Sequence, residues 1–408
     1  MRNALLRTGV RPPRSGARTT LHRVGIHRRI LDVAPPRGPA HAGPSPHLCK
    51  DAAAHPQHGR DAPVNTTFRP EEAPSDAPTL EQVAELAGVS RSTASRAING
   101  GLRVSPEAQA SVDAAVAELG YIPNRAARSL VTKRTDSIAL VVPEPDERVL
   151  SDPFFAGTLN GLSSSLSDSD IQVVLVIARP GEAERTLRYL RNGHVDGAVV
   201  VSHHRADDLD TALLSSRVPN VFVGRPLSAD ITDVNYVDTD NVAGGALATN
   251  ALIERGCRRI ATIAGPEDMS AGIDRLLGWR AALNAAGMTD DAVLYGDFTI
   301  ASGAAATREL LARYPDIDGI FVASDLMAAG ALGVLSEAGK DVPGEIAIVG
   351  YDNIGVSAST SPPLTTVVQP VAAMARAAGG RLLGQLQGLP MPTEPLIFAP
   401  ELVRRASA

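Results

Sequence analysis

The densest run of hydrogen-bonding side chains in this 408-residue sequence is Ser90-Arg91-Ser92-Thr93, followed by Ser95, Arg96 and Asn99. At helical spacing Ala94, Ala97 and Ile98 share one face, and Arg91, Ser92, Ser95 and Arg96 are left on the other. Arginine can donate two bonds to guanine, and Ser, Thr or Asn can reach base edges or phosphates. Such a face has the chemistry to read a DNA major groove; a solvated face on a small bundle is the plain alternative. Reaction chemistry is absent by comparison. There is no Gly-x-Gly-x-x-Gly, phosphate loop, Gly-x-Ser-x-Gly elbow or His-Glu-x-x-His. The His203-His204 pair has no third ligand nearby, and Asp238-Thr239-Asp240-Asn241 lacks the Gly and the closing Glu of a calcium loop. The expectation is a binding protein, not an enzyme, with no cofactor and no metal.

The elements that must position those polar residues are short and well punctuated. Thr79 with Gln82 fits a capping box, and Leu80, Val83, Ala84 and Ala87 recur at helical spacing, which predicts a helix over 80–87. Gly88-Val89 breaks it, and Ser90 is a natural N-cap for a second helix over 91–98. Ser105 and Pro106 open a third, which buries Val112, Ala115, Val116 and Leu119 before Gly120. Two short helices joined by a Gly-containing turn and propped by a third form a helix-turn-helix.

Charge separates the regions. The chain carries 39 basic and 45 acidic residues, net −6, with 44% hydrophobic residues. Residues 1–70 are net +9, 71–78 net −3, 79–134 net +2 and 135–408 net −14 (summed from the sequence). Overall acidity therefore does not exclude DNA binding, because the acidity sits in the body. Residues 1–78 are basic, proline-rich and aperiodic, and read as a disordered tail. A basic DNA-attracting arm or a targeting peptide would share that composition; upstream sequence from an early start codon, or a passive tail, is the favoured reading. No apolar run approaches the ~20 residues that span a bilayer. Cys49 and Cys257 are too few for a disulfide framework, which predicts a reduced compartment, the cytoplasm.

From Thr79 to Leu130 the string resembles, without a gap, the headpiece of the LacI/GalR family of bacterial transcription regulators. Ala87-Gly88-Val89-Ser90, Ser95-Arg96 with Asn99, and Tyr121-Ile122-Pro123-Asn124-Arg125-Ala126-Ala127 carry the likeness. The resemblance implies that Arg91 and Ser92 select operator bases and that Arg96 contacts a base. It places Ser90, Thr93, Ser95 and Asn99 near bases or backbone. Residues 79–123 would be the headpiece, and 124–135 the hinge helix and linker. Asn124 would open that hinge, and Leu130, with Ala127 beside it, would wedge into the minor groove.

The body, 136–408, alternates short apolar runs with helical stretches. Candidate strands are Ile138–Val142, Ile171–Ile177, Gly197–Val201, Val221–Val223, Ile260–Ile263, Gly319–Ala323 and Ile346–Val349. Helical segments lie at 153–168, 181–193, 242–256, 270–287, 302–314, 325–339 and 370–388. This is the pattern of doubly wound α/β sheets, with strands buried on both faces. The family resemblance extends here through Asp152-Pro153-Phe154-Phe155, Ala264-Gly265-Pro266, Gly278-Trp279, Ala323-Ser324-Asp325 and Val349-Gly350-Tyr351-Asp352-Asn353. It implies a two-lobed, periplasmic-binding-protein-like effector domain, with an N-lobe of 136–238 plus 369–391 and a C-lobe of 239–368 plus 392–408.

By the same likeness, Arg275 and Asp352 would hold ligand hydroxyls, a donor fork opposite an acceptor. Ser324 would be a further ligand bond, while Asp325 suits a structural helix start and Trp279 the core. Phe154, Phe155 and Phe298 would pack on the ligand, with ordinary lobe packing the alternative for each. Arg225 is a further candidate. The expected partners are a pseudo-palindromic DNA operator, a second copy in a homodimer, and a small effector, a mono- or oligosaccharide. The body resembles oligosaccharide regulators of the cellobiose type. A repressor of carbohydrate-utilisation genes is the reading; a sugar-binding receptor or transport component without DNA activity is the alternative.

Overall fold

A computed structural model describes residues 78–99, 104–123, 129, 134–179, 181–205, 209–227, 234–390, 392 and 394–408. The tail to residue 77 lies outside them, as does nearly all of the expected hinge, including Asn124, Ala127 and Leu130.

The headpiece holds α1 (Leu80–Leu86), α2 (Arg91–Ile98) and α3 (Pro106–Leu119). Thr79 caps α1 reciprocally: its hydroxyl accepts from the Gln82 N–H, and the Gln82 side chain accepts from the Thr79 N–H at 2.8 Å. Gly88 makes the turn at φ +65, a left-handed backbone that a side chain would strain. Ser90 and Ser105 cap the next two helices. Val83, Ala84, Ala94, Ala97, Val112 and Ala115 form the small core between them, with Leu80, Ile98 and Val116 around it.

The body contains two sheets, parallel throughout except for the last strand of the second. The first lobe runs β1 (Ser137–Val142), α4 (Asp146–Ser151), α5 (Pro153–Ser165), β2 (Gln172–Ile177) and α6 (Ala183–Arg191), then β3 (Gly197–Val201), α7 (Leu209–Leu214), β4 (Asn220–Val223) and β5 (Tyr236–Thr239). The chain then passes through α8 (Asn241–Arg255), β6 (Ile260–Ala264), α9 (Ser270–Ala285), β7 (Val293–Tyr295), α10 (Ile300–Arg313), β8 (Gly319–Val322), α11 (Asp325–Glu337), β9 (Ala347–Asp352), α12 (Gly355–Ser359) and β10 (Thr365–Val368). It returns through α13 (Val371–Leu386) and ends with β11 (Leu396–Phe398) and β12 (Glu401–Val403). The strand orders are β11-β5-β4-β3-β1-β2 and β12-β10-β9-β8-β6-β7.

Each sheet is covered on both faces, and the period-2 rule divides each strand between two cores. In β1, Ile138, Leu140 and Val142 join one cluster, and Ala139 and Val141 the other. In β6, Ala261 and Ile263 face one C-lobe core, while Ile260 and Ala264 face the one that contains Trp279.

Two expectations need correction. β2 is an edge strand with no fully buried residue, so the apolar run at 171–177 does not mark burial on both faces. The last crossing between lobes also lies later than residue 391. Leu396, Ile397 and Phe398 pair in parallel with Val237, Asp238 and Thr239 in the N-lobe sheet, and only β12 joins the C-lobe, antiparallel to β10. Three residues after Pro395 carry too little periodicity to announce a strand. Among the described residues no helix is long and apolar enough to cross a membrane.

Candidate effector cleft and DNA-reading helix

Helix α2 presents the predicted polar face. Ser90, Arg91, Ser92 and Arg96 are exposed, and Thr93, Ser95 and Asn99 are partly buried. The Ser90 hydroxyl accepts from the Thr93 N–H at 3.1 Å and lies 2.9 Å from the hydroxyls of Ser92 and Thr93. Arg91 leans back to an ion pair with Glu81 on α1. Arg96 donates from Nε to the Ser92 carbonyl at 3.1 Å, and the Asn99 amide closes the helix on the Ser95 carbonyl at 2.8 Å. The Arg96 contact takes one of its five N–H groups and leaves the terminal nitrogens outward.

The second site is a cleft between the lobes, with an open volume of about 700 Å³. It lies beyond the carboxyl ends of the strands, where doubly wound folds bind ligands. Arg148, Asp152, Phe154, Ser202, His203, Asp238 and Met374 line one wall, and Ser270, Arg275, Phe298, Ser324, Asp352 and Gln369 line the other.

Arg275, on α9 and only 3% exposed, is the centre of this wall. Its Nε donates to Asn241 at 2.9 Å, Nη1 to the Ala323 carbonyl at 2.6 Å and to Asp352 at 3.2 Å, and Nη2 to Gln369 at 2.8 Å. Its guanidinium carbon lies 3.6 Å from the Tyr351 ring centroid. Four of its five N–H groups are thereby engaged, so it offers a ligand one Nη2 hydrogen in place of the expected open fork. Arg148 supplies another donor: its Nε is buried and has no hydrogen-bond partner among the described residues.

Acceptors surround these donors. Asp352 sits in left-handed backbone at φ +104 at the end of β9. Burial pushes its carboxyl above the ordinary range, Arg275 opposes that, and Asp152 adds to it. Behind it, Asp325 accepts from the Thr366 hydroxyl at 2.6 Å and the Ile354 N–H at 2.9 Å. Burial, then repulsion from Asp352, raises Asp325 as well. Burial also raises Asp238, against the bonds it accepts from the Thr239 and Arg225 N–H groups.

The sequence-derived candidates separate here. Phe154, Phe298, Arg275, Ser324 and Asp352 line the cleft. Ser324 also caps α11 by accepting from the Met327 N–H, so its hydroxyl is already in structural use. Phe155 and Arg225 are corrections. Phe155, 4% exposed, belongs to the N-lobe core and meets Phe154 edge-on at 5.3 Å. Neighbours on a helix point about 100° apart, so only one of the two can face the cleft. Arg225 does not line the cleft; it forms a two-bond pair with Asp274 of the other lobe at 2.7 and 2.8 Å. Ser202 and Gln369 carry no sequence motif, and His203 and Asp238 drew notice only as metal-ligand candidates, although each of the four lies at or just after the end of a strand, the signal that could have found them. Trp279 is fully buried, and burial pushes the Cys257 thiol up to about 11, which disfavours the thiolate.

Residues 79–124 match the bacterial regulatory proteins of the lacI family, and residues 249–408 match the periplasmic binding protein-like domain. The HTH-type transcriptional regulator CelR of Thermobifida fusca is 50% identical over 335 residues, 81% of this chain and 98% of that protein. The chain belongs to the LacI family. It is a helix-turn-helix transcriptional regulator. GalR of Escherichia coli is 34% identical over 81% of the LacI-family chain and 95% of its own length. Among solved structures, a CelR–cellobiose complex superposes with a TM-score of 0.66 and 48% identity, covering 81% of this chain and 100% of that one. A lac repressor dimer bound to operator and the anti-inducer ONPF gives 0.70 and 29%, covering 81% and 99%.

Proposed function

We propose that this regulator represses carbohydrate-utilisation genes from inside the cell, as a homodimer on a pseudo-palindromic operator, and is released by a cellobiose-type sugar. It acts by binding, not catalysis. The observation that carries the effector assignment is the balance of charge in the cleft. Arg148 is matched by Glu144 at 2.9 Å, Arg275 by Asp352 at 3.2 Å and the His203 ring by Asp210 at 3.0 Å, so among the described residues no lining cation is left uncompensated for a phosphate. What remains are single N–H donors, carboxylate acceptors and the rings of Phe154 and Phe298, which suit the hydroxyls and apolar faces of a neutral sugar. A relative at 48% identity holding cellobiose supports the same class.

A dimer would present two copies of α2 to successive major grooves, with Arg91, Ser92 and Arg96 reading bases. The hinge wedge at Leu130, with Asn124 and Ala127, is part of this proposal and rests on the resemblance alone. A gel shift across a salt series tests the DNA half: affinity falls as salt rises, and Leu130→Ala weakens operator binding while effector affinity stays intact. A thermal-shift screen of mono- and disaccharides, including cellobiose, tests the effector half. Stabilisation by phosphorylated but not neutral sugars would reverse the assignment.

A further inference from the structure

One histidine ties the two lobes together at the rim of the cleft. His204 follows β3 in the N-lobe, and its Nε2 lies 3.1 Å from Glu144 Oε1, in the loop after β1. Its Nδ1 lies 3.0 Å from Asp268 Oδ2, in the C-lobe loop after β6, and the adjacent Arg205 N–H donates to the Asp268 carbonyl at 2.9 Å. A neutral imidazole carries one N–H, so one of the two contacts would set a bare ring nitrogen against a carboxylate. Only the imidazolium donates to both.

We propose that His204 is a proton-operated latch that holds the lobes together, so that a proton and the effector favour the same closed arrangement. This rests on the effector reading above for the ligand, but not for the latch itself. The surrounding charges fit. Glu144 also accepts from Arg148 at 2.9 Å and from the Ser202 hydroxyl at 2.6 Å, while Asp152 lies close enough to Arg148 and Glu144 to feel both. With His204 protonated, the three carboxylates Glu144, Asp152 and Asp268 face two cations, Arg148 and His204. Without the proton they face Arg148 alone, and the excess negative charge across the lobe boundary grows by one. Burial opposes a charged ring, but the bonds and charges of Glu144 and Asp268 outweigh it, so His204 keeps its proton above the ordinary histidine range. The second inter-lobe clasp is Arg225 with Asp274, a two-bond ion pair that involves no histidine.

The sign follows from linkage. A site that gains basicity on closure favours the closed form below its open-state pKa, and the advantage disappears as pH rises through the closed-state value. Effector and proton then strengthen each other's binding by the same factor. With the full chain and cellobiose as probe, the dissociation constant rises about sixfold between pH 6 and pH 8, out of a limiting tenfold, if closure moves the histidine up by one pH unit from its ordinary value of about 6.5. His204→Gln removes that part of the dependence. Asp325 and Asp352 titrate in both proteins, so the difference between the two profiles is the readout. Identical profiles overturn the latch. If cellobiose binds neither protein, the effector reading fails and the latch is still decided. A histidine NMR titration of the effector-free chain should show the His204 midpoint falling in Asp268→Asn, and an unmoved midpoint overturns it.

Discussion

Helix α2 and the cleft use the same kinds of side chain under opposite conditions. Arg91 and Arg96 stand in solvent beside exposed serines, with one local contact each. Arg275 is buried, with its donors distributed over residues 241, 323, 352 and 369. An exposed donor keeps water until a partner brings its own acceptors, so a reading face needs little internal support. A buried guanidinium must be satisfied in advance, because an unpaired charge away from water is strongly destabilising. The first surface is therefore free to vary without harming the fold, and the second is part of the fold.

Four substitutions would break or sharpen that contrast. The largest effect is expected at the cleft: Arg275→Ala leaves Asp352 and Gln369 without their donor and costs about 3–5 kcal/mol of stability, as for a broken buried pair. Denaturant unfolding checks this, and effector response should vanish while operator binding survives at low temperature. Arg96→Ala should leave unfolding nearly unchanged and weaken operator binding by about 1–3 kcal/mol in a gel shift. Equal stability losses at the two arginines would erase the distinction. Ser90→Ala removes an N-cap and should cost the headpiece about 1 kcal/mol, read as a lower melting temperature.

The smallest effect is a slope rather than a step. Asp325 is raised on folding by burial and by Asp352, so the folded body binds its proton more tightly than the unfolded chain does. Its contribution is greatest at acid pH and declines as pH rises from about 4, where the unfolded carboxyl titrates, through the folded value. Asp325→Asn should flatten that decline in unfolding curves taken across the range; an unchanged slope would point to another group.

The same contrast explains what could be read in advance. The three headpiece helices depend on neighbours within about one turn: a capping box at Thr79, a left-handed Gly88, apolar residues three and four apart. Nothing distant is needed to place Ser90, Arg91, Ser92 and Arg96 on one face. In the cleft, Arg275 and Asp352 were accessible through family likeness, but Arg148, His203 and Gln369 were not. Their place depends on which strand ends converge across two lobes, a relation no local spacing encodes. Arg225 shows the limit most plainly, because its partner Asp274 lies 49 residues away in the opposite lobe.

The late position of β11 bears on how the protein is made. Strand β5 is finished at Thr239, yet its outer neighbour in the sheet arrives only with Leu396–Phe398, after the whole of the other lobe. As the chain leaves the ribosome, the headpiece can fold from its own contacts, whereas the first lobe must wait with one edge unpaired, a template for wrong partners. A message cut short at residue 395 would strip an edge strand from each sheet at once. Premature termination near the end should therefore yield an aggregating body on a sound headpiece, not a regulator lacking one lobe.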